Sequence, residues 1–200
     1  MISKSELRTE ARALRKRLAV ENPQAAEQVV AQLPYLLEMM FETTASFAEA
    51  QKQRRFTAGL YKAQGSEIGT APLAEALMKL DLDLALPVAV AKDAALEFRR
   101  WTPKDPLAPD AAGIFSPLPS AEVVVPDVVF VPLLAIDRDG YRLGQGGGYY
   151  DRTIQALRQR PDRPWFIGLA YSGQSVDVLP RDAHDQRLDG LLTETLASSV

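Results

Sequence analysis

The chain has 200 residues, 46% of them apolar, enough for one domain, residues 1–200, that buries roughly 70% of the surface its unfolded form exposes. It has no cysteine and one histidine, His184, which excludes disulfides, a thiol nucleophile, Cys-ligated metal centres and any multi-histidine metal site. A net charge of −3 argues against a general nucleic-acid or anionic-membrane partner, although residues 1–20 carry six basic side chains against two acidic ones.

Ser3-Lys4-Ser5-Glu6 fits a capping box, and the spacing predicts a helix over residues 4–20. Its apolar stripe is Leu7, Ala11, Leu14 and Leu18, and Lys4, Arg8, Arg12 and Arg15 line the stripe beside it. Asn22-Pro23 predicts an N-cap and a proline at the first helical position, opening a second helix to about Met40 that Pro34 kinks or splits. The alanine- and glutamine-rich stretch from Glu42 to Arg54 has no clear assignment.

From Phe56 onward short apolar runs alternate with helical segments, the pattern of an α/β sheet. Strands are predicted over 56–61, 83–90 and 96–101, with a helix over 72–80. Half of the fourteen prolines lie between Pro103 and Pro132, and 103–119 is predicted to be a long surface loop. The continuous apolar run Val128 to Val131 is expected of a central strand covered on both faces. Asp139-Gly140 marks a turn, 149–160 a helix, and 165–171 and 188–194 further strands. The apolar stretch from Val123 to Ile136 is interrupted by Pro126, Asp127 and Pro132 and is too short to span a bilayer. The N-terminus has no continuous apolar region of the secretory type. A cytoplasmic, monomeric protein with no membrane partner is expected. Trp101 and Trp165 read as core strand residues, and His184 as a surface-loop histidine after Pro180.

Five of the twelve glycines fall between Gly140 and Gly148. Glycines there let successive backbone N–H groups converge on one anion, and the helix that follows adds the positive end of its dipole. This is the physics of a phosphate cradle. It is not a Walker A loop, since no Gly-Lys-Ser/Thr follows, nor the dinucleotide fingerprint, since Tyr149 stands at the sixth position after Gly144-x-Gly146. Arg142 is suited to a phosphate oxygen. Asp151, one turn into the helix, fits a magnesium ion between carboxylate and phosphate, or equally a first-turn acid complementing the dipole.

The run from Phe130 to Arg152, FVPLLAIDRDGYRLGQGGGYYDR, resembles the signature of the 5-formyltetrahydrofolate cyclo-ligase family. So do Lys4-x-x-x-Arg8, Ser66-Glu67-Ile68, Gly168-Leu169-Ala170-Tyr171 with Gln174, and His184-Asp185-Gln186-Arg187-Leu188-Asp189. The resemblance implies a three-layer α/β fold with a mainly parallel sheet flanked by helices. It implies an enzyme that uses MgATP to convert 5-formyltetrahydrofolate to 5,10-methenyltetrahydrofolate, releasing ADP and phosphate. Carried over, it assigns Lys4 and Arg8 to ATP phosphates, with Lys4 and Arg142 catalytic. Arg142, Leu143, Gly144, Gln145, Gly146, Gly147, Gly148, Tyr149 and Tyr150 would hold ATP, Gly147 and Tyr149 also meeting the folate. Tyr61, Lys62 and Glu67 would form the pterin pocket, and Asp151 and Asp185 would hold magnesium. The chain departs from the family pattern at Ala63, at Ile136, at Gln145 and at Phe115-Ser116-Pro117. The cradle alone also fits an α/β enzyme of phosphorylated metabolites, such as a sugar-phosphate isomerase or coenzyme A transferase, or a non-catalytic folate- or nucleotide-binding regulator.

Overall fold

The computed structural model describes residues 3–42 and 44–200. Helix α1 (Lys4–Glu21) opens on the predicted capping box, with Ser3 and Glu6 each satisfying the other's backbone N–H. Asn22 does not start the next helix. It closes α1, its backbone N–H and its side-chain amide both donating to the Leu18 carbonyl. After a turn at Pro23 and Gln24 come α2 (Ala25–Ala31) and α3 (Leu33–Phe41), split where Pro34, which lacks an N–H, enters the first turn of α3. The unassigned stretch contains α4 (Thr44–Gln53). Phe47 on α4 is buried among Phe41 and Phe56, with ring centroids 5.0 and 5.8 Å away.

The remaining elements are β1 (Thr57–Gly59), α5 (Ala71–Lys79), β2 (Asp83–Ala89), β3 (Leu96–Arg100), β4 (Leu107–Pro109), β5 (Phe115–Pro117), β6 (Val123–Val124), β7 (Val128–Pro132), β8 (Ala135–Asp137), β9 (Arg142–Leu143), α6 (Tyr149–Leu157), β10 (Trp165–Leu169), β11 (Ser175–Val176), β12 (Gly190–Leu192) and β13 (Ala197–Ser199). The predicted strands are present, shorter than predicted except for β7, which runs one residue past Val131. Helix α6 stops before the predicted Arg160, where Pro161 follows and disfavours a helical residue ahead of it. The 103–119 segment is not all loop. Strands β4 and β5 pair antiparallel, and the Asp110 carboxylate closes the hairpin by accepting the N–H groups of Ala112 and Ile114.

The main sheet has eight strands in the order β13-β12-β10-β7-β1-β2-β3-β6. The five from β12 to β2 are parallel, and β13, β3 and β6 pair antiparallel at the edges. Side chains alternate across β7, which divides the interior in two. Val128 and Phe130 join a cluster with residues of α2, α3, α4 and α5, whereas Val129 and Val131 join one with Ile154 of α6. The three layers are helices, sheet and helix, as expected for the α/β class. A small sheet of β11, β8 and β9 continues past β7 and packs against Leu7 and Ala11 of α1. From β1 the chain winds outward to β2, and from β7 the other way to β10 and β12. The boundary between β1 and β7 is therefore the switch point, beyond whose carboxyl ends ligands of such sheets bind. Among the described residues no helix is long and apolar enough to cross a membrane.

Phe130 is fully buried at the centre of the sheet. Phe130→Ala is expected to lower stability by about 3–5 kcal/mol in urea denaturation. Val123→Ala on the exposed edge strand should change it by less than about 0.5 kcal/mol.

Candidate active site

The carboxyl ends of β1, β2 and β7 open into a cavity of about 460 Å³. A larger hollow of about 640 Å³ lies among α2, α3, α4 and α5, but its lining is mainly aliphatic and its polar residues are Glu27, Gln51, Glu75 and Lys79. Convergent polar groups distinguish the first cavity. All of the candidate residues line it: Lys4, Arg8, Tyr61, Lys62, Glu67, Arg142, every residue from Leu143 to Asp151, and Asp185.

Spacings of four, four and three place Lys4, Arg8, Arg12 and Arg15 on one face of α1. Together they reach three segments, Arg8 and Arg12 sharing the glycine loop. Lys4 Nζ lies 2.6 Å from Asp185 and 2.7 Å from Asp182. Arg8 Nε donates to the Gly144 carbonyl at 3.0 Å, and Arg12 Nε to Gln145 Oε1 at 2.9 Å. Arg15 reaches Glu67, Ser66 and the Leu133 carbonyl. Burial works against the Lys4 ammonium, but the hydrogen bonds and charges of Asp182 and Asp185 outweigh it and raise its pKa. The Lys4 hydrogen bond in turn holds the Asp182 carboxyl below its usual range.

The glycine loop joins β9 to α6. Gly146 (φ +103°) and Gly148 (φ +66°) take conformations that side chains rarely adopt, and Gly148 is the N-cap of α6. A glycine there has no side chain to cap the first-turn N–H groups, and the loop and the first turn of α6 line the cavity, as an anion site at a helix N-terminus requires. Arg152 braces the loop by donating to the Gly147 carbonyl at 2.7 Å.

Arg142 is almost fully buried, its Nη2 3.1 Å from Asp151 Oδ1 and its Nη1 donating to the Gln186 carbonyl at 2.9 Å. Burial pushes the Arg142 pKa down, and the Asp151 charge opposes it. Asp151 also accepts the Gln186 N–H at 3.1 Å. Among the described residues one acidic group has metal-binding geometry. The donor atoms of Asp182, His184 and Asp185 lie within 4.8 Å of one another, and Asp151 is outside that group. His184 is exposed, as expected, but belongs to this cluster at the cavity. Its oxygen-rich donors suit a hard divalent cation, and the Lys4 ammonium between the two carboxylates shows that they take positive charge.

At the other end Glu67 is buried, and desolvation raises its carboxyl pKa against the Gln64 N–H and the Arg15 charge. Tyr61 gives its hydroxyl to the Ile68 carbonyl at 2.9 Å and so meets the cavity as an apolar surface. The Tyr150 hydroxyl is buried without a hydrogen-bond partner, the arrangement expected of a donor that a ligand completes. Burial and the Glu67 charge raise its pKa well above the usual phenol value, keeping it protonated.

Sequence reasoning gave no role to Arg12, Arg15, Arg152, Asp182 or Gln186. Arg12 and Arg15 were signalled by their place on the basic stripe. Arg152 and Gln186 stand inside the motifs quoted for the family, whereas Asp182 carries no local signal, because its partner Lys4 is 178 residues away in the chain.

Glycine conformation, charge and topology together describe an α/β protein with a cavity suited to an anionic ligand at the switch point of its sheet. Residues 1–194 match the model of the 5-formyltetrahydrofolate cyclo-ligase family. The chain is 34% identical over 195 residues to the 5-formyltetrahydrofolate cyclo-ligase of Haemophilus influenzae, covering 94% of this chain and 96% of that one. To the enzyme of the same name from Escherichia coli K12 it is 33% identical over 142 residues, 68% of this chain and 77% of that one. The solved structure of Aquifex aeolicus 5,10-methenyltetrahydrofolate synthetase superposes with a TM-score of 0.74 at 31% identity, covering 99% of this chain and 93% of the other. The chain belongs to the 5-formyltetrahydrofolate cyclo-ligase family.

Gly148→Ala combines a positive φ with a Cβ only 2.7 Å from Arg152 Nη1, whereas a Cβ at Gly144 meets nothing within 4 Å. Gly148→Ala is expected to cost about 1–2 kcal/mol of stability in urea titration, and Gly144→Ala less than about 0.5 kcal/mol.

Proposed function

We propose that the chain converts 5-formyltetrahydrofolate to 5,10-methenyltetrahydrofolate with consumption of MgATP, residues 1–200 acting as a single catalytic domain. One observation carries the reading: a single cavity is lined at one end by Glu67, Tyr61 and Lys62, and at the other by the glycine loop, Lys4, Arg8 and Arg142. An anion cradle and a buried carboxylate that can read N–H donors thus share one volume, as a reaction between a polyphosphate and a pterin requires.

A formamide is a poor electrophile. In this reading the formyl oxygen takes the terminal phosphoryl group of ATP and ADP leaves, nitrogen 10 of the folate attacks the activated carbon and gives up its proton to solvent, and phosphate departs carrying the formyl oxygen. The protein's part is positioning and charge neutralisation. The amides of Gly144 to Gly148 and the first turn of α6 receive phosphate oxygens, while Lys4, Arg8 and Arg142 offset the charge of the transferring group. Arg142 is fixed by its bonds to Asp151 and Gln186, so its guanidinium needs no reorientation as charge develops. Asp151 and Asp185, with Asp182 and His184 beside the latter, would hold Mg²⁺, which would supply positive charge against the phosphates. Gly147 and Tyr149 lie where the two ligands meet, and the Tyr150 hydroxyl is free to donate to either.

The test is an assay of purified protein with 5-formyltetrahydrofolate, with and without MgATP, following the absorbance of the methenyl product. Product formation only in the presence of MgATP is expected, and none under either condition would overturn the reading. Asp151→Asn is expected to lower kcat roughly 10²-fold or more with an unchanged circular dichroism spectrum. A variant turning over at the normal rate would remove Asp151 from the metal and phosphate end.

A further inference from the structure

We propose that Arg15 is a positioning residue for the folate end of the cavity, holding the Glu67 carboxylate where it meets the pterin. The inference rests on the reading that Glu67 receives the pterin. Arg15 lies on α1, three turns beyond Lys4, and only 5% of its surface is exposed. Its Nη1 donates at 3.2 Å both to Glu67 Oε1 and to the Leu133 carbonyl just past β7, and its Nε donates at 3.2 Å to Ser66 Oγ. One rigid guanidinium fork therefore ties the Ser66-Glu67 turn to the end of the central strand, which a point charge on a flexible stem would not do.

The anchor is itself fixed. The Leu133 carbonyl also accepts from Gln174 Nε2 at 2.9 Å, the same nitrogen donates to the Leu134 carbonyl at 3.0 Å, and Gln174 Oε1 accepts the Tyr171 N–H at 2.8 Å. Glu67 Oε2 takes the Gln64 N–H at 2.8 Å. Each carboxylate oxygen thus has one protein donor and spare lone pairs, and Glu67 lines the cavity. A two-donor edge of a heterocycle can complete both. A buried ion pair is a poor source of stability, because desolvation offsets the attraction. Orientation of a recognition group explains why this one stands at a cavity wall, where burial raises the Glu67 carboxyl pKa and the Arg15 charge opposes that rise.

Steady-state kinetics of Arg15→Met, Glu67→Gln and the double variant Arg15→Met/Glu67→Gln test this, with KM measured separately for 5-formyltetrahydrofolate and ATP. Each single variant is expected to raise the folate KM roughly 10- to 100-fold, with the ATP KM within about twofold of wild type. The double variant should match Glu67→Gln rather than show the product of the two effects, because Arg15 acts through Glu67. Arg15→Lys should recover part of the loss. The double variant also leaves no unpaired buried charge, so the comparison stands if Arg15→Met alone folds poorly. Multiplying effects, or parallel rises in both KM values, would overturn the inference. A normal folate KM in Glu67→Gln would instead overturn the pterin reading of Glu67, whereas a raised folate KM there with a normal one in Arg15→Met defeats the role of Arg15 alone.

Discussion

The basic face of α1 has no hydrophobic reason to approach the rest of the molecule, yet it is the face that meets the cavity. Leu7 and Ala11 pack on the small sheet of β8, β9 and β11. With the helix held there, its four basic side chains end over three segments: the 182–185 turn, the glycine loop at Gly144 and Gln145, and the Ser66-Glu67 turn. None of these loops is fixed by sheet hydrogen bonds alone. Guanidinium and ammonium groups that accept nothing and donate several times are suited to binding carbonyl and carboxylate oxygens from separate loops. The cavity is thus assembled around one helix, which must be docked before the anion end and the carboxylate end can face each other.

The same arrangement governs the electrostatics. Lys4 faces Asp182 and Asp185, Arg142 faces Asp151, and Arg15 faces Glu67. These three cations each face an acid, whereas half-buried Arg8 meets the Gly144 carbonyl, so most of the charge around the cavity is balanced within the protein, where a stranded charge would cost several kcal/mol. Polyphosphate and a divalent cation entering together preserve that balance, because anion is added beside the basic groups and cation beside the acids. Either one alone would upset it. Paired entry of the two charges is therefore the expectation for this site, independent of the reaction that follows.

Much of this could be read along the chain, and what could not has a common cause. The capping box of α1, the doubly covered run Val128 to Val131 and the anion-binding glycines are local signals, written in adjacent residues. Helix α4 escaped because its residues lack a clear periodicity and its anchor, Phe47, stacks on rings from two other segments. The β4–β5 hairpin escaped because prolines exclude helix without excluding strand, and its closure depends on one carboxylate, Asp110, that also accepts the N–H of Ala89 on β2. The acids Asp182 and Glu67 could be read as polar. That Lys4 and Arg15 would be their partners follows only from packing 178 and 52 residues apart in the chain.

The chain's departures from the family pattern gain meaning from which side of an element they occupy. Ala63 packs against the helix-covered core, while its neighbours Lys62 and Gln64 line the cavity. Ser116, on β5 of the hairpin, is 2% exposed, and Ile114 rather than Ser116 lines the site. Ile136 is buried in the cluster on the α6 side of the sheet. These three changes alter what supports the cavity and leave its lining groups in place. Gln145 differs, since it lines the cavity itself and its amide oxygen is taken by Arg12. Its neighbours in the loop include two glycines at positive φ, where substitution is strained. Gln145 itself has no positive φ, and Arg12 of α1 meets its side chain, so this departure changes the cavity lining without straining the loop.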